Sequence, residues 1–305
     1  MKALLKSKNV ILFTASIFIL TGSLSFCSAV RAGTNGIAMP ASLTQHKPRQ
    51  YGTSFAISVK SALYQLSQNK SGTLIDIRSP EEFKRLKIPG SLNFPLHFIK
   101  AKSHLKSSPV VLVNKGYGYS KLEAEGRRLK ALGFKTSILD GGLLAWHRKG
   151  GVLVGDLFVL KEMTSIKSQE FFKEKDFSNG LIINLSAAQT EEARNLIPHA
   201  VHLPFMINQN GRSVDRFRNE LIQLSAQKNK PFRSVLLFNN DGKYSEKLKT
   251  IMNKIELNTF YLSGGLTGYQ KYLEGLLLSW KSLDSRTRAV SNCNRCGEKS
   301  EGEKN

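Results

Sequence analysis

Between Cys27 and Cys293 the chain contains no cysteine; its three cysteines, in 305 residues, all sit near the two ends. That absence excludes a disulfide framework inside the body and any thiolate nucleophile there, so the folded part must stand on packing alone. Acidic residues are scarce too, 23 Asp and Glu against 45 Lys and Arg, a formal charge of +22. Such an excess favours anionic surfaces such as lipid headgroups, acidic envelope polymers or acidic proteins, and says nothing about fold. The basic residues are dispersed and no nucleic-acid-binding motif accompanies them, so nucleic acid is not expected as a partner. Long apolar runs are also missing, since the longest, residues 10–24, is shorter than the ~20 residues a membrane-spanning helix needs.

What is present begins with Lys2, Lys6 and Lys8 ahead of that apolar run, then Val30, Arg31 and Ala32 with small residues at peptidase-read positions. Residues 1–32 therefore read as a removable export signal, which implies a periplasmic or secreted protein with no stable membrane span after cleavage. Removal takes Lys2, Lys6, Lys8 and Arg31 from the 45 basic residues, leaving 41 against 23 acidic, a formal +18. Cys27 would leave with the signal. Residues 33–52 are rich in Gly, Ser, Thr, Gln and Pro without a period and read as a linker. With 41% hydrophobic content, the remainder is long enough for about two globular domains.

Those two domains are visible as a repeat. Residues 57–60 and 164–167 read as short strands, each followed by a helix, over 61–68 and 168–175. Residues 74–77 and 181–185 are nearly all apolar, as strands covered on both faces are. Each half then has a Glu-Glu segment leading to a proline turn at Pro89 or Pro198. Apolar strands follow at 110–113 and 235–238, and each runs through a loop, 114–120 or 239–245, into an amphipathic helix. Both halves close on a strand, a Gly-Gly turn, at Gly141-Gly142 or Gly264-Gly265, and a helix. The second half inserts the polar stretch 208–232, expected to form a surface helix. The expected fold is α/β, two domains of one kind, each a mainly parallel central sheet flanked by helices on both faces, with a boundary near 151–160. The ranges are 53–155 and 156–283, followed by a flexible tail over 284–305.

Asp76-Ile-Arg78, Glu81-Glu-Phe83, Ile88-Pro-Gly90, the loop ending at Ser120, Leu132-Gly-Phe134, Leu139-Asp-Gly-Gly142 and Ala145-Trp146 together resemble a rhodanese domain. The second half is similar more faintly, through Ile197-Pro198, Tyr244-Ser245 and Leu262-Ser-Gly-Gly265, so the chain resembles a tandem-rhodanese sulfurtransferase. The resemblance implies a loop-opening cysteine that takes a sulfane sulfur as a persulfide and passes it to a thiol or cyanide. Counted back six residues from the loop-closing serine, that position holds Asn114 in one half and Asn239 in the other. Tyr119 and Tyr244 stand where the family often has arginine. A carboxamide neither attacks an S–S bond nor leaves from one, so the resemblance implies fold rather than activity.

A loop between a buried strand and a helix N-terminus collects backbone N–H groups that favour an anion. The candidate anion-binding residues are Asn114, Lys115, Gly116, Tyr117, Gly118, Tyr119 and Ser120 in the first half. Their counterparts are Asn239, Asn240, Asp241, Gly242, Lys243, Tyr244 and Ser245 in the second. Asn114 and Asn239 either tie loop backbone together or touch a bound anion or partner. Ser120 and Ser245 are expected as helix N-caps, and Lys115 and Lys243 as the loop cations, solvated or facing an anion. Asp76 and Arg78 are expected to be structural, with Asn184 and Ser186 at the matching places. His199 and His202 have metal-compatible spacing but no third ligand nearby, so neither a metal nor another cofactor is expected. Cys293 and Cys296 form a CxxC that could be a disulfide, a redox or sulfur-carrying dithiol, or a shared metal ligand pair. The leading expectation is an exported binding module for an unknown anion or protein partner. The alternative is sulfur transfer or thiol-disulfide exchange at the terminal CxxC.

Overall fold

The computed structural model describes residues 30–31, 38–39, 55–68, 72–176, 180–205, 212–227, 232–255 and 257–297. The expected signal and linker therefore lie outside the described residues, apart from β1 (Val30–Arg31) paired antiparallel with β2 (Ala38–Met39). No described helix is long and apolar enough to cross a membrane.

The first half runs β3 (Ala56–Ile57), α1 (Val59–Gln68), β4 (Thr73–Asp76), α2 (Pro80–Arg85), β5 (Leu86–Lys87) and β6 (Leu92–Asn93). Two 3-10 segments lead on to β7 (Pro109–Val113), α3 (Tyr119–Ala131), β8 (Lys135–Leu139), α4 (Gly142–Arg148), β9 (Val154–Gly155) and α5 (Val159–Met163). The second half begins with β10 (Ser165–Ile166), α6 (Ser168–Glu174), β11 (Gly180–Asn184), α7 (Glu191–Leu196) and β12 (Val201–His202). It continues through α8 (Arg212–Gln227), β13 (Ser234–Phe238), α9 (Glu246–Lys254), β14 (Thr259–Leu262) and α10 (Gly265–Gly297). The inserted stretch thus carries α8.

Strands β3-β8-β7-β4-β6 form one five-stranded sheet and β10-β14-β13-β11-β12 the other, every pairing parallel. In chain order the two sheets have the same layout, so the repeat read from sequence is a repeat of topology. Parallel strands need helical crossovers, which cover both faces and leave the central strands apolar throughout. β13 is buried along its whole length, and β7 from Val110 onward. Alternating residues feed opposite faces. Ile75, Leu112 and Ile138 enter one core of the first sheet, and Leu74, Val111 and Leu139 the other. Leu236, Phe260 and Leu262 divide likewise from Val235, Leu237 and Tyr261 in the second.

Two boundaries differ from expectation. β9 pairs with β5, and Val159 and Met163 of α5 pack in the first core, so the change from one core to the next falls after Met163 rather than at 155. An apolar face on residues 159–163 decides it, because burial outweighs the weak signal of a Gly-rich stretch. The expected flexible tail begins instead as helix: α10 continues to Gly297, through a stretch from 276 to 296 with neither proline nor glycine, and Cys293 and Cys296 lie one turn apart on it.

Asp76 and Arg78, expected to be structural, are both buried. Arg78 is buried and donates from Nε to both Asp76 carboxylate oxygens (3.0 and 3.1 Å) and from one terminal nitrogen to Asp76 (2.6 Å) and to the Leu86 carbonyl (2.6 Å). The pair thereby ties the end of β4 to β5. Arg78→Ala leaves a buried carboxylate without its cation and should lower the unfolding free energy by about 3–5 kcal/mol, read from urea denaturation.

Candidate functional site

Both strand-end loops are built the same way. In the first, the Asn114 side chain accepts from the Gly116 N–H (2.8 Å) and donates to the Tyr117 carbonyl (2.6 Å). In the second, Asn239 accepts from the Gly242 N–H (2.7 Å) and donates to the Lys243 carbonyl (2.7 Å). Each amide is thus spent on its own loop. The Gly-Gly turn then presses against the loop: the Leu143 N–H donates to the Asn114 carbonyl and the Leu266 N–H to the Asn239 carbonyl, both at 2.8 Å. A side chain on Gly142 (φ +54°) would stand 2.4 Å from the Asn114 carbonyl oxygen, and one on Gly265 (φ +58°) 2.4 Å from that of Asn239. Only glycine permits that approach.

The tyrosines at the loop ends brace the same turn. The Tyr119 hydroxyl accepts from the Gly141 N–H and lies 3.5 Å from Asp140 Oδ1. The Tyr244 hydroxyl lies 2.7 Å from the Leu262 carbonyl and 3.2 Å from that of Leu237. Burial pushes both phenols well above their ordinary pKa, so they remain neutral donors and acceptors.

The loops differ in what faces them. Gly118, in the left-handed region at φ +88°, precedes the first residue of α3, so Ser120 is not its N-cap as expected but lies inside the first turn. Both oxygens of Glu174, the last residue of α6, accept from the Ser120 N–H (3.0 and 3.1 Å), and one also accepts from the Ser120 hydroxyl. A carboxylate from the second half therefore sits at the positive end of α3, where an external anion was expected. Lys115 is mostly buried and pairs with Glu170 at 2.8 Å, so its charge is also taken internally. The Tyr117 ring meets Phe260 of the second half at 5.1 Å, and its phenol is raised far above its ordinary pKa by burial and then by the charges of Glu174 and Glu170. The void beside Glu174, bordered by Tyr117, Gly118, Tyr119 and strands β11 and β13, holds about 20 Å³, room for one water at most.

The second loop lies open. Asn240, Asp241, Lys243 and Ser245 are exposed, and Ser245 caps α9 by accepting from the Leu248 N–H (3.2 Å). Asp241 accepts from the Lys243 N–H, and Asn240 accepts from Ser186, which stands in the place of Arg78. Asn184 makes the turn that Asp76 makes in the first half, through the Ser186 N–H at 3.0 Å. His202 Nε2 lies 2.9 Å from the Ser186 carbonyl. Among the described residues no cluster of three His, Cys, Asp or Glu side chains could hold a metal. The side chains of Cys293 and Cys296 lie outside the description.

Sequence reasoning missed the groups that close the first loop: Glu170, Glu174 and Phe260, together with Arg233, which is buried over the Tyr119 ring (5.4 Å) and pairs with the buried Glu123 at 3.4 Å. Burial raises the Glu123 pKa, against the pull of Arg233 and Arg127. The available signal was two acids one turn apart on α6 of a strongly basic chain.

A family model for the rhodanese-like domain matches residues 59–149, which span the first loop and the first Gly-Gly turn. No curated protein matches the chain. Among solved structures, the chain is similar to the BH2092 protein from Bacillus halodurans, at 19% identity over 34% of this chain and 79% of that one, with a TM-score of 0.31. It is similar to the Alr3790 protein from Anabaena sp., at 21% identity over 39% and 93%, TM-score 0.29. It is also similar to a thiosulfate sulfurtransferase from Pseudomonas aeruginosa, at 18% identity over 71% of this chain and 42% of that one, TM-score 0.28.

Glu174→Ala removes the internal anion from α3. It should cost about 1–3 kcal/mol in urea denaturation, the penalty of leaving a partly buried donor without its acceptor. Sulfate, compared with chloride at equal ionic strength, should then raise the melting temperature of the variant by more than it raises that of the parent.

Proposed function

We propose that the chain, whose residues 59–149 match the rhodanese-like domain, is an exported tandem rhodanese-like protein that has lost cysteine-based sulfur transfer and works as a binding module. The observation that carries this reading is the state of the first loop. Asn114, at the position the resemblance gives to the persulfide-carrying cysteine, uses both ends of its amide on loop backbone, and the adjoining helix N-terminus is closed by Glu174. A thiosulfate ion has neither a nucleophile to meet nor a space to enter. The tandem reading draws on the shared strand order and on the mirrored Leu143–Asn114 and Leu266–Asn239 bonds.

Binding then falls to the open side. The loop 239–245 exposes Lys243 beside the N-terminus of α9, which suits an anionic group on a small molecule or on an acidic partner. The formal charge, +18 once residues 1–32 are removed, adds long-range attraction to such partners and to anionic envelope surfaces.

Turnover of thiosulfate with cyanide tests the reading. The chain and its Cys293→Ser/Cys296→Ser variant should both run at the uncatalysed rate. Turnover that survives the serine replacements would place an unforeseen nucleophile in the body. Turnover that the replacements abolish would move the chemistry to the terminal CxxC, and either result ends the binding-module proposal. Retention on an anionic polymer should fall steeply as salt rises through the range where the Debye length drops below about 10 Å.

A further inference from the structure

A cleft of about 530 Å³ opens between the halves, lined by no residue of either strand-end loop, and falls in the size range of small-molecule sites, roughly 300–1,000 Å³. We infer that it binds a small organic anion with one acidic head and an apolar body. Its walls divide by chemistry. Val59 and Leu63 at the start of α1 face Phe232 and Leu257 of the second half, which gives apolar surface on both sides. Around them stand Lys60, Arg148 and Lys149, with Arg233 already paired to Glu123, against the single carboxylate of Asp140. The net positive lining selects an anion. The apolar walls favour an organic body over an inorganic ion, and Asp140 disfavours a second negative charge.

The cleft is built rather than incidental. Arg148 donates to the Leu257 carbonyl (2.9 Å) and to the Asn258 side-chain oxygen, and Asn258 in turn donates to the Arg233 carbonyl (2.9 Å). This chain of bonds crosses from α4 to the strand entries of the second sheet and fixes the Arg148 guanidinium and the Arg233 backbone before any ligand arrives, while Glu123 pairs with the Arg233 guanidinium. Pre-set donors lose little freedom on binding, the condition under which a polar contact adds most to affinity. Each half supplies only part of the wall, so a ligand there contacts both.

Fluorescence titration of the full chain with 8-anilinonaphthalene-1-sulfonate, an aromatic sulfonate of the inferred chemistry, tests the site. One saturable site per chain is expected. Lys60→Glu, which reverses an exposed wall charge, should weaken binding about tenfold, and Leu63→Trp, which fills the cleft from a solvent-exposed position, should abolish it. Lys271→Glu, on α10 and outside the cleft, should leave the affinity unchanged. The uncharged analogue N-phenyl-1-naphthylamine should bind at least about tenfold more weakly than the sulfonate. Equal affinity in the parent, Lys60→Glu and Leu63→Trp would overturn the inference, as would equal affinity for the charged and uncharged probes. Because the exposed Lys60 side chain has no hydrogen bond or ion pair among the described residues, its variant decides the question even where Leu63→Trp fails to fold.

Discussion

The carboxylate of Glu174 on the first turn of α3 is the contact that decides what the first loop can do. A helix N-terminus presents N–H groups that the helix cannot satisfy itself, and enclosing them without an acceptor is costly. Once the second half covers the loop 114–120, something must supply that acceptor from inside. Glu174 does so with both oxygens on one N–H and one on the adjacent hydroxyl, while Glu170 takes the only loop cation. In a chain with nearly twice as many basic as acidic residues, two acids one turn apart facing one loop match the loop's charge. The seam is thus electrostatically closed where an anion would otherwise enter.

Under that seam lies a backbone device used twice. A strand ends, the carbonyl of the asparagine that follows it accepts an N–H from the helix after the Gly-Gly turn, and the side chain of that asparagine folds the loop over it. The device depends on glycine because neighbouring backbone atoms occupy the space a Cβ needs, and so it persists in both halves even where their surroundings diverge. Divergence appears one layer out. Asp76 and Arg78 give way to Asn184 and Ser186, which keep the turn and drop the charge, and Ser186 then reaches Asn240 instead of a distant carbonyl. The local turn is set by the first residue of each pair, while the long-range tie belongs to the arginine alone.

Much of this was legible in the sequence because it rests on local rules. Continuous apolar runs at 110–113 and 235–238 mark doubly covered strands, and Gly141-Gly142 and Gly264-Gly265 mark turns where a side chain cannot fit. The inward use of Asn114 and Asn239 was one of two readings that residue chemistry leaves open, and only distances separate them. Ser120 is not the cap because its helix starts two residues earlier, with left-handed Gly118 at the cap, a shift within the ordinary uncertainty of helix ends. The closing of the first loop was not legible at all. Glu174 and Ser120 are 54 residues apart, and nothing local to either foretells the other. The same holds for the packing of Val159 and Met163 into the first core, which depends on β9 returning to β5.

Tyr119 connects the sealed loop to the open cleft. Its ring carries the Arg233 guanidinium on one face, and its hydroxyl reaches Gly141 and Asp140, the latter lining the cleft. Arg233 is in turn held through its carbonyl by Asn258 and through its guanidinium by Glu123, whose carboxyl is disfavoured as an anion by its burial. A buried cation over an aromatic face with a reluctant counter-ion is held by geometry more than by net charge attraction, since desolvation offsets most of the Coulomb gain. Such a group responds to small changes in its surroundings. A negative charge arriving in the cleft would give Arg233, which lines it, a second partner beside Glu123.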